Sequence, residues 1–430
     1  MNIVSILIIV VFVAIVALMV ANKINAVVAL PLMAVALSVV AGVNINTIVN
    51  TVIGAGAAQF ASLIITALIA AVLGEVIRKT GIAEKLIRGA AELGGDNPYL
   101  IALLCFAACG FCFVGLYGGG ARIMIGLIIF PIMLAVGVPK TICSFILLAS
   151  SFLGYFFNVT RWAFIQGLFK VDGNPVVTID LVKNVALILF IPGLIIAVGL
   201  IILGIKVKGK VFCWAAKNTS VEASSQKVPA IALFAPIVPL VLVLAFKWDV
   251  NTSLLVGILY AILTTQYKNK FKGSLGVINK SIYDGFSNIS VTIMLMMGIG
   301  MVIKAAGLAE LKTPITAILT NIVPSSKLGI VLIFGLLGPF LCAYRGPFNP
   351  WGLGGALASI LLVTNINPGI LVAMFWLYDY FVGVNDPTAS QVQWANGYLQ
   401  LDSGKYTVAT APAGILFCVI GMIIMAIKFV

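Results

Sequence analysis

Tyr117-Gly118-Gly119-Gly120 and Tyr344-Arg345-Gly346-Pro347-Phe348-Asn349-Pro350 each break a long apolar run, 99–138 in the first case and 327–366 in the second. Glycine and proline at such a centre leave backbone N–H and C=O groups without helical partners. Hydrocarbon tolerates these only where they face protein or a water-filled cavity. Each half of each run is also short for a bilayer crossing, which takes about 20 residues. The pattern predicts two re-entrant hairpins that enter and leave on one side; two ordinary spans per run is the alternative.

The rest of the chain reads as a polytopic helical membrane protein. Of its 430 residues 62% are hydrophobic and 9% charged, where soluble domains carry about 25% charged residues. Ten more apolar runs are long enough to cross a bilayer: 3–21, 24–43, 57–79, 140–165, 181–205, 229–247, 250–267, 286–304, 367–386 and 408–428. The first lacks the basic n-region and small-residue cleavage site of a signal peptide, and a second span follows at once, so it is read as a transmembrane helix. The net charge of +13 comes from Lys and Arg placed between apolar runs. Such a bias orients a membrane protein and does not call for nucleic acid. Cys105, Cys109 and Cys112 share a helical face by spacing. With no carboxylate beside them and no His in the chain, they are expected in the core and not around a metal.

Three spans, a broken hairpin and two spans occur twice in that order. Val76-Ile77-Arg78-Lys79-Thr80-Gly81-Ile82-Ala83-Glu84 is echoed 226 residues on by Val302-Ile303-Lys304-Ala305-Ala306-Gly307-Leu308-Ala309-Glu310. Tyr117 is echoed by Tyr344, and Asn158-Val159-Thr160 by Asn385-Asp386-Pro387-Thr388 with one residue inserted. The expected fold is therefore all-α, with two inverted-topology repeats of five transmembrane helices plus one re-entrant hairpin each. They occupy 1–205 and 229–430, joined by a cytoplasmic linker at 206–228. Five spans per half force opposite insertion. With both termini outside the cell (inner or plasma) membrane, sixteen loop Lys and Arg fall inside, from Lys23 and the Arg78–Arg88 group to Lys405, and seven fall outside.

Inverted repeats with interrupted helices are the architecture of secondary transporters, with sites where the breaks meet. A broken helix offers free N–H groups and a positive dipole end to an anion, and free carbonyls to a cation. The candidate substrate contacts are Gly118, Gly119, Gly120 and Arg122 at the first tip and Arg345, Gly346 and Asn349 at the second. An intramembrane arginine costs from about 3 kcal/mol upward, so it marks a function or a paired charge. Arg122 and Arg345 either clamp a substrate carboxylate, pair internally with Asp379, Asp386 or Glu75, or snorkel to the surface; Arg161 is the weaker candidate. Asn158 and Thr160, with Asn385, Asp386 and Thr388, place amide and hydroxyl oxygens at two further breaks. These suit Na⁺ or a polar face of the substrate, Asn158 and Asn385 serving either, or they simply cap helix ends. Asp379 either carries a coupling proton or partners an arginine. No cofactor is expected beyond Na⁺ as a possible coupling ion. No nucleophile elbow or P-loop is present, and Gly118–Gly120 is not followed by Lys-Ser/Thr, so no enzyme is expected. A channel is a poorer match to two inverted halves, and a scaffold has no need of intramembrane charge.

The order of spans and hairpins, Gly54-Ala55-Gly56 before the third span, the Thr80-Gly81-Ile82-Ala83 exit, and Asn158 and Asn385 at the second breaks resemble the ion transporter superfamily. Within it the likeness is to the gluconate permease family and its dicarboxylate and citrate relatives. The resemblance implies symport of a small organic anion with H⁺ or Na⁺, in a homodimer whose hairpin-bearing domain slides as an elevator. A Na⁺/H⁺ antiporter of the same superfamily is the alternative. By resemblance, Asn158 and Thr160, and Asn385 and Thr388, correspond to Ser-Asn-Thr-type breaks, with Phe157 and Val384 standing where those motifs carry a small hydroxyl residue. The expected orientation has a direct test in Cys213, which lies in the linker. A membrane-impermeant maleimide should leave Cys213 unlabelled in intact cells and label it once the membrane is opened.

Overall fold

The computed structural model describes residues 3–20, 23–171, 174–208, 228–266, 271–311, 326–346, 348–351, 354, 361–362 and 366–430. Most of the linker (209–227), most of the second limb of the second hairpin, Pro347 and the side chain of Arg345 lie outside the described residues.

The described chain is helical apart from a two-residue antiparallel pairing of Lys170–Val171 with Asn174–Pro175. In order the helices are α1 (Ile3–Val20), α2 (Ala26–Val40), α3 (Ile45–Lys79), α4 (Ile82–Gly94), α5 (Pro98–Gly115), α6 (Gly119–Ala135), α7 (Lys140–Phe157), α8 (Val159–Leu168) and α9 (Ile179–Lys208). After the linker come α10 (Val238–Ala245), α11 (Val250–Gln266), α12 (Phe271–Gly307), α13 (Lys327–Cys342), α14 (Pro368–Asn385), α15 (Ser390–Tyr398) and α16 (Ser403–Phe429). Among the described residues six helices are long and apolar enough to cross a bilayer: α3, α5, α7, α9, α16 and the 273–307 portion of α12. On α9, Ile191, Ile195 and Leu203 are exposed, a surface suited to acyl chains and not to water. This is the architecture of a helical membrane protein.

Several expected spans have other bounds. The run 57–79 is the second part of α3, which starts at Ile45, passes through a wide π turn at Ile48–Ala55 and is irregular at Gln59 and Phe60. The run 286–304 sits inside the 37-residue α12. Hydropathy registers only the apolar part of such a helix, whereas the helix continues wherever backbone bonds propagate. The stretch 229–247 forms only a 3₁₀ turn at Ala230–Phe234 and the eight-residue α10. Pro229, Pro236 and Pro239 explain this, since each lacks an N–H for the ladder. The amphipathic α4 and the polar α15 were not among the expected elements.

At the centre stand α7 and α14. Every residue from Ile142 to Gly154 and from Gly369 to Asn385 is buried. The long α12 crosses α3 and packs against α2. With apolar lipid outside, such crossings gain little from hydrophobicity and rely on close backbone approach through small residues. Gly56 and Gly300 supply it: a Cβ at Gly56 would stand 2.6 Å from the Met301 Cα, and one at Gly300 would strike the Gly56 carbonyl. Gly300→Val should therefore cost about 1–3 kcal/mol through forced separation, read as a lower thermal unfolding midpoint in detergent. Gly199→Ala, where nothing lies within 4 Å, should leave that midpoint unchanged or slightly raised.

Candidate functional site

The first break is built around Gly118. Helix α5 ends at Gly115, and the chain turns through Gly118 at φ +98° before α6 begins. An L side chain rarely adopts that conformation. The turn brings the first residues of α6 to the wall of a cavity of about 460 Å³, lined by Gly118, Gly119 and Arg122 from this break. The α6 N-terminus has no side-chain cap, so its first N–H groups and dipole add positive character beside Arg122.

The second break stands behind it. Asn158 donates its amide to the carbonyls of Phe113 (3.2 Å), Val114 (3.0 Å) and Leu116 (3.2 Å), and accepts from the N–H groups of Thr160 and Arg161. It holds the end of α5 and the start of α8 together and does not line the cavity. One turn into α8, Arg161 reaches the cavity wall at only 2% exposure. Its Nη2 donates to Asp379 Oδ2 at 2.5 Å, and the other Asp379 oxygen accepts from Trp351 Nε1 at 2.7 Å. Among the described residues Arg161 Nε and Nη1 have no hydrogen-bond partner.

Arg122 differs. Among the described residues it meets only neutral partners, donating to Ser151 Oγ (3.2 Å) and Tyr155 Oη (2.8 Å). Aromatic faces enclose both guanidinium groups. Arg122 lies 4.8 Å from the Phe152 ring centroid and 5.2 Å from that of Tyr155, and Arg161 lies 5.0 Å from Tyr155 and 4.5 Å from Trp351. Each such contact is worth about 0.5–2 kcal/mol, more when desolvated. The result is a buried, aromatic-walled pair of cations with unused donors, which is a geometry for an anion.

Other parts of the wall come from the C-terminal half. Asn349 lines it, holding the third break through its bonds to Cys342 O and the Trp351 N–H. Gly346 lies behind, where a Cβ would collide with the Leu341 carbonyl. Asp386 and Thr388 line the wall below α14. Asp386 Oδ1 accepts from the N–H and hydroxyl of Thr388, both at 2.8 Å, while its buried Oδ2 has no partner among the described residues.

Thus Gly118, Gly119, Arg122, Asn349, Asp386 and Thr388 meet at one cavity, with Asp379 joined to it through Arg161 and Trp351. Asn158, Thr160, Asn385 and Gly346 are not on its wall, and Gly120 lies in the first turn of α6. Asn385 instead packs over Gly414 of α16 and donates to Phe381 O. Tyr155, Phe152 and Trp351 escaped notice in the sequence; the available signal was large aromatics within a few residues of each break. No protein-family model matches the chain, and no curated protein is significantly similar to it.

Removing one member of a buried ion pair leaves the other uncompensated, at about 3–5 kcal/mol. Asp379→Asn should destabilise by that order. The double change Asp379→Asn with Arg161→Gln should lose less than Asp379→Asn alone, read from detergent unfolding curves of the three variants.

Proposed function

We propose that the protein is a secondary transporter that carries a small organic acid together with H⁺ or Na⁺ across the cell membrane. The observation that carries this reading is the meeting of Arg122, Arg161 and Asp386 in one cavity whose walls are interrupted helices. The unused guanidinium donors of Arg161 and the open α6 N-terminus suit a carboxylate. The unpartnered Asp386 Oδ2 suits a proton or a cation. A buried polar atom left without a partner costs about 1–3 kcal/mol, so such atoms on a cavity wall are expected where a ligand supplies the partner. Buried Asn385 Oδ1 and Thr160 Oγ1 are also without partners among the described residues, and they extend the oxygen-rich character of the two breaks.

Two inverted repeats of five spans and one hairpin each, with both termini outside, complete the reading. Its support is the matching run of elements. The 18-residue α7 ends just before Asn158, followed by the ten-residue α8 and the 30-residue α9. The 18-residue α14 ends at Asn385, followed by the nine-residue α15 and the 27-residue α16. Transport by an elevator motion in a homodimer follows from the family resemblance. A Na⁺/H⁺ antiporter is the second reading, favoured by the free oxygen of Asp386; it leaves the Arg161 donors without a task.

Uptake of a carboxylate panel into proteoliposomes, under separately imposed H⁺ and Na⁺ gradients, tests the proposal. At least one acid should accumulate with one of the gradients; a folded preparation that accumulates none overturns it. Arg122→Ala should lower uptake about thirtyfold or more, the scale of losing a buried charged hydrogen-bond partner. Sodium-driven pH changes without any acid, dependent on Asp386, would select the antiporter.

A further inference from the structure

We propose that the cargo is a monocarboxylate with an apolar carbon body, an aliphatic or aromatic acid, and not a polyhydroxylated acid or a di- or tricarboxylate. This rests on the organic-acid reading above and narrows it.

Charge comes first. The described charged side chains that line the cavity are Arg122, Arg161 and Asp386; Asp379 is bonded behind Arg161, and Glu75, bonded behind Asn288, is already paired with Arg78. Asp379 already neutralises Arg161 at 2.5 Å. Among the described residues that leaves one guanidinium without a carboxylate partner, Arg122, and one carboxylate without a cation, Asp386. A single carboxylate carried with one cation fits this balance. A second or third carboxylate brings charge that the described wall groups do not offset, in a low-dielectric site where unpaired charge is heavily penalised.

The lining decides the rest. The two guanidinium groups are flanked by the buried rings of Tyr117, Phe152 and Tyr155, and buried Val382 also lines the cavity. The carbons adjoining a carboxylate held there meet ring faces. Further out, Ile123, Leu295 and Trp394 continue the apolar lining. Polar side chains do line the cavity, but they are largely engaged: buried Asn349 bonds to Cys342 O and the Trp351 N–H, and the Thr388 hydroxyl donates to Asp386. Asn288 is exposed and donates to Glu75 Oε1, and Ser390 is exposed and bonded to Gln391. Hydroxyl groups on the buried part of a cargo would be stripped of water with few replacements, which costs more than their removal. A methylene in the same place gains from burial.

Isothermal titration of the detergent-purified full chain, in sodium buffer, distinguishes the possibilities. The probes are acetate, butyrate, hexanoate and benzoate against gluconate, succinate and citrate. Affinity should rise about fourfold per methylene from acetate to hexanoate, with hexanoate or benzoate at least tenfold tighter than gluconate, succinate and citrate. Arg122→Gln should abolish the series. Leu295→Asn, on the half-buried wall, should flatten the chain-length dependence, weakening hexanoate several-fold more than acetate, which also separates cavity binding from partition into detergent. Tighter binding of gluconate, succinate or citrate overturns this inference and leaves the organic-acid reading standing. Binding of no acid by the folded protein overturns both.

Discussion

A helix interrupted inside a bilayer must find partners for backbone groups that water would otherwise satisfy, and in this protein one side chain meets most of that demand. Asn158 donates to three carbonyls freed at the end of α5 and accepts from two N–H groups freed at the start of α8. Two interruptions, more than 40 residues apart in sequence, thereby become one rigid junction. The position of Asn158 fixes the geometry of the cavity. The end of α5 sets where the chain turns at Gly118, hence where the α6 N-terminus and Arg122 point. The start of α8 sets the direction of Arg161, one turn on. The cavity exists because these two helix starts converge on it.

Charge at that depth is held by two different devices. Arg161 has a carboxylate partner, itself locked by Trp351, so the pair is neutral and the remaining guanidinium edge is available. Arg122 relies on two hydroxyl groups and the faces of Phe152 and Tyr155. Guanidinium is weakly hydrated and stacks on rings, so this environment holds it where an ammonium group would lose more. Tyr155 serves both, its hydroxyl accepting from Arg122 while its ring lies near Arg161. The aromatic box is thus part of the electrostatics and not only packing.

Composition and long apolar runs were enough to read a helical membrane protein, because length and hydropathy are properties of the chain alone. The breaks at Gly118 and Asn158 were legible too, since a glycine run or an Asn-x-Thr inside apolar sequence disfavours an unbroken helix. Partnership was not legible. Arg161 looked the weaker arginine because nothing in sequence joins it to Asp379, 218 residues away. For Asp379 in Trp376-Leu377-Tyr378-Asp379-Tyr380 the sequence left a coupling proton and an arginine partner open; both of its oxygens are taken, one of them by Arg161. Helix lengths also deceived: α12 runs well past its apolar part, and α10 begins late, after the prolines at 229 and 236.

The two Asn breaks look alike in sequence and behave differently for a reason contained in one residue. At the first, Asn158 Oδ1 accepts from the N–H groups two and three positions on, those of Thr160 and Arg161. At the second, the residue two positions after Asn385 is Pro387, which has no N–H to give. Asn385 Oδ1 is accordingly left without a partner among the described residues, and the capping role passes to its neighbour, Asp386 Oδ1, which accepts from Thr388. A carboxylate has two oxygens where capping needs one. The proline therefore moves an acid into the capping position and leaves its second oxygen beside a cavity that also holds two arginines. A neutral copy of the first break would have supplied no such charge.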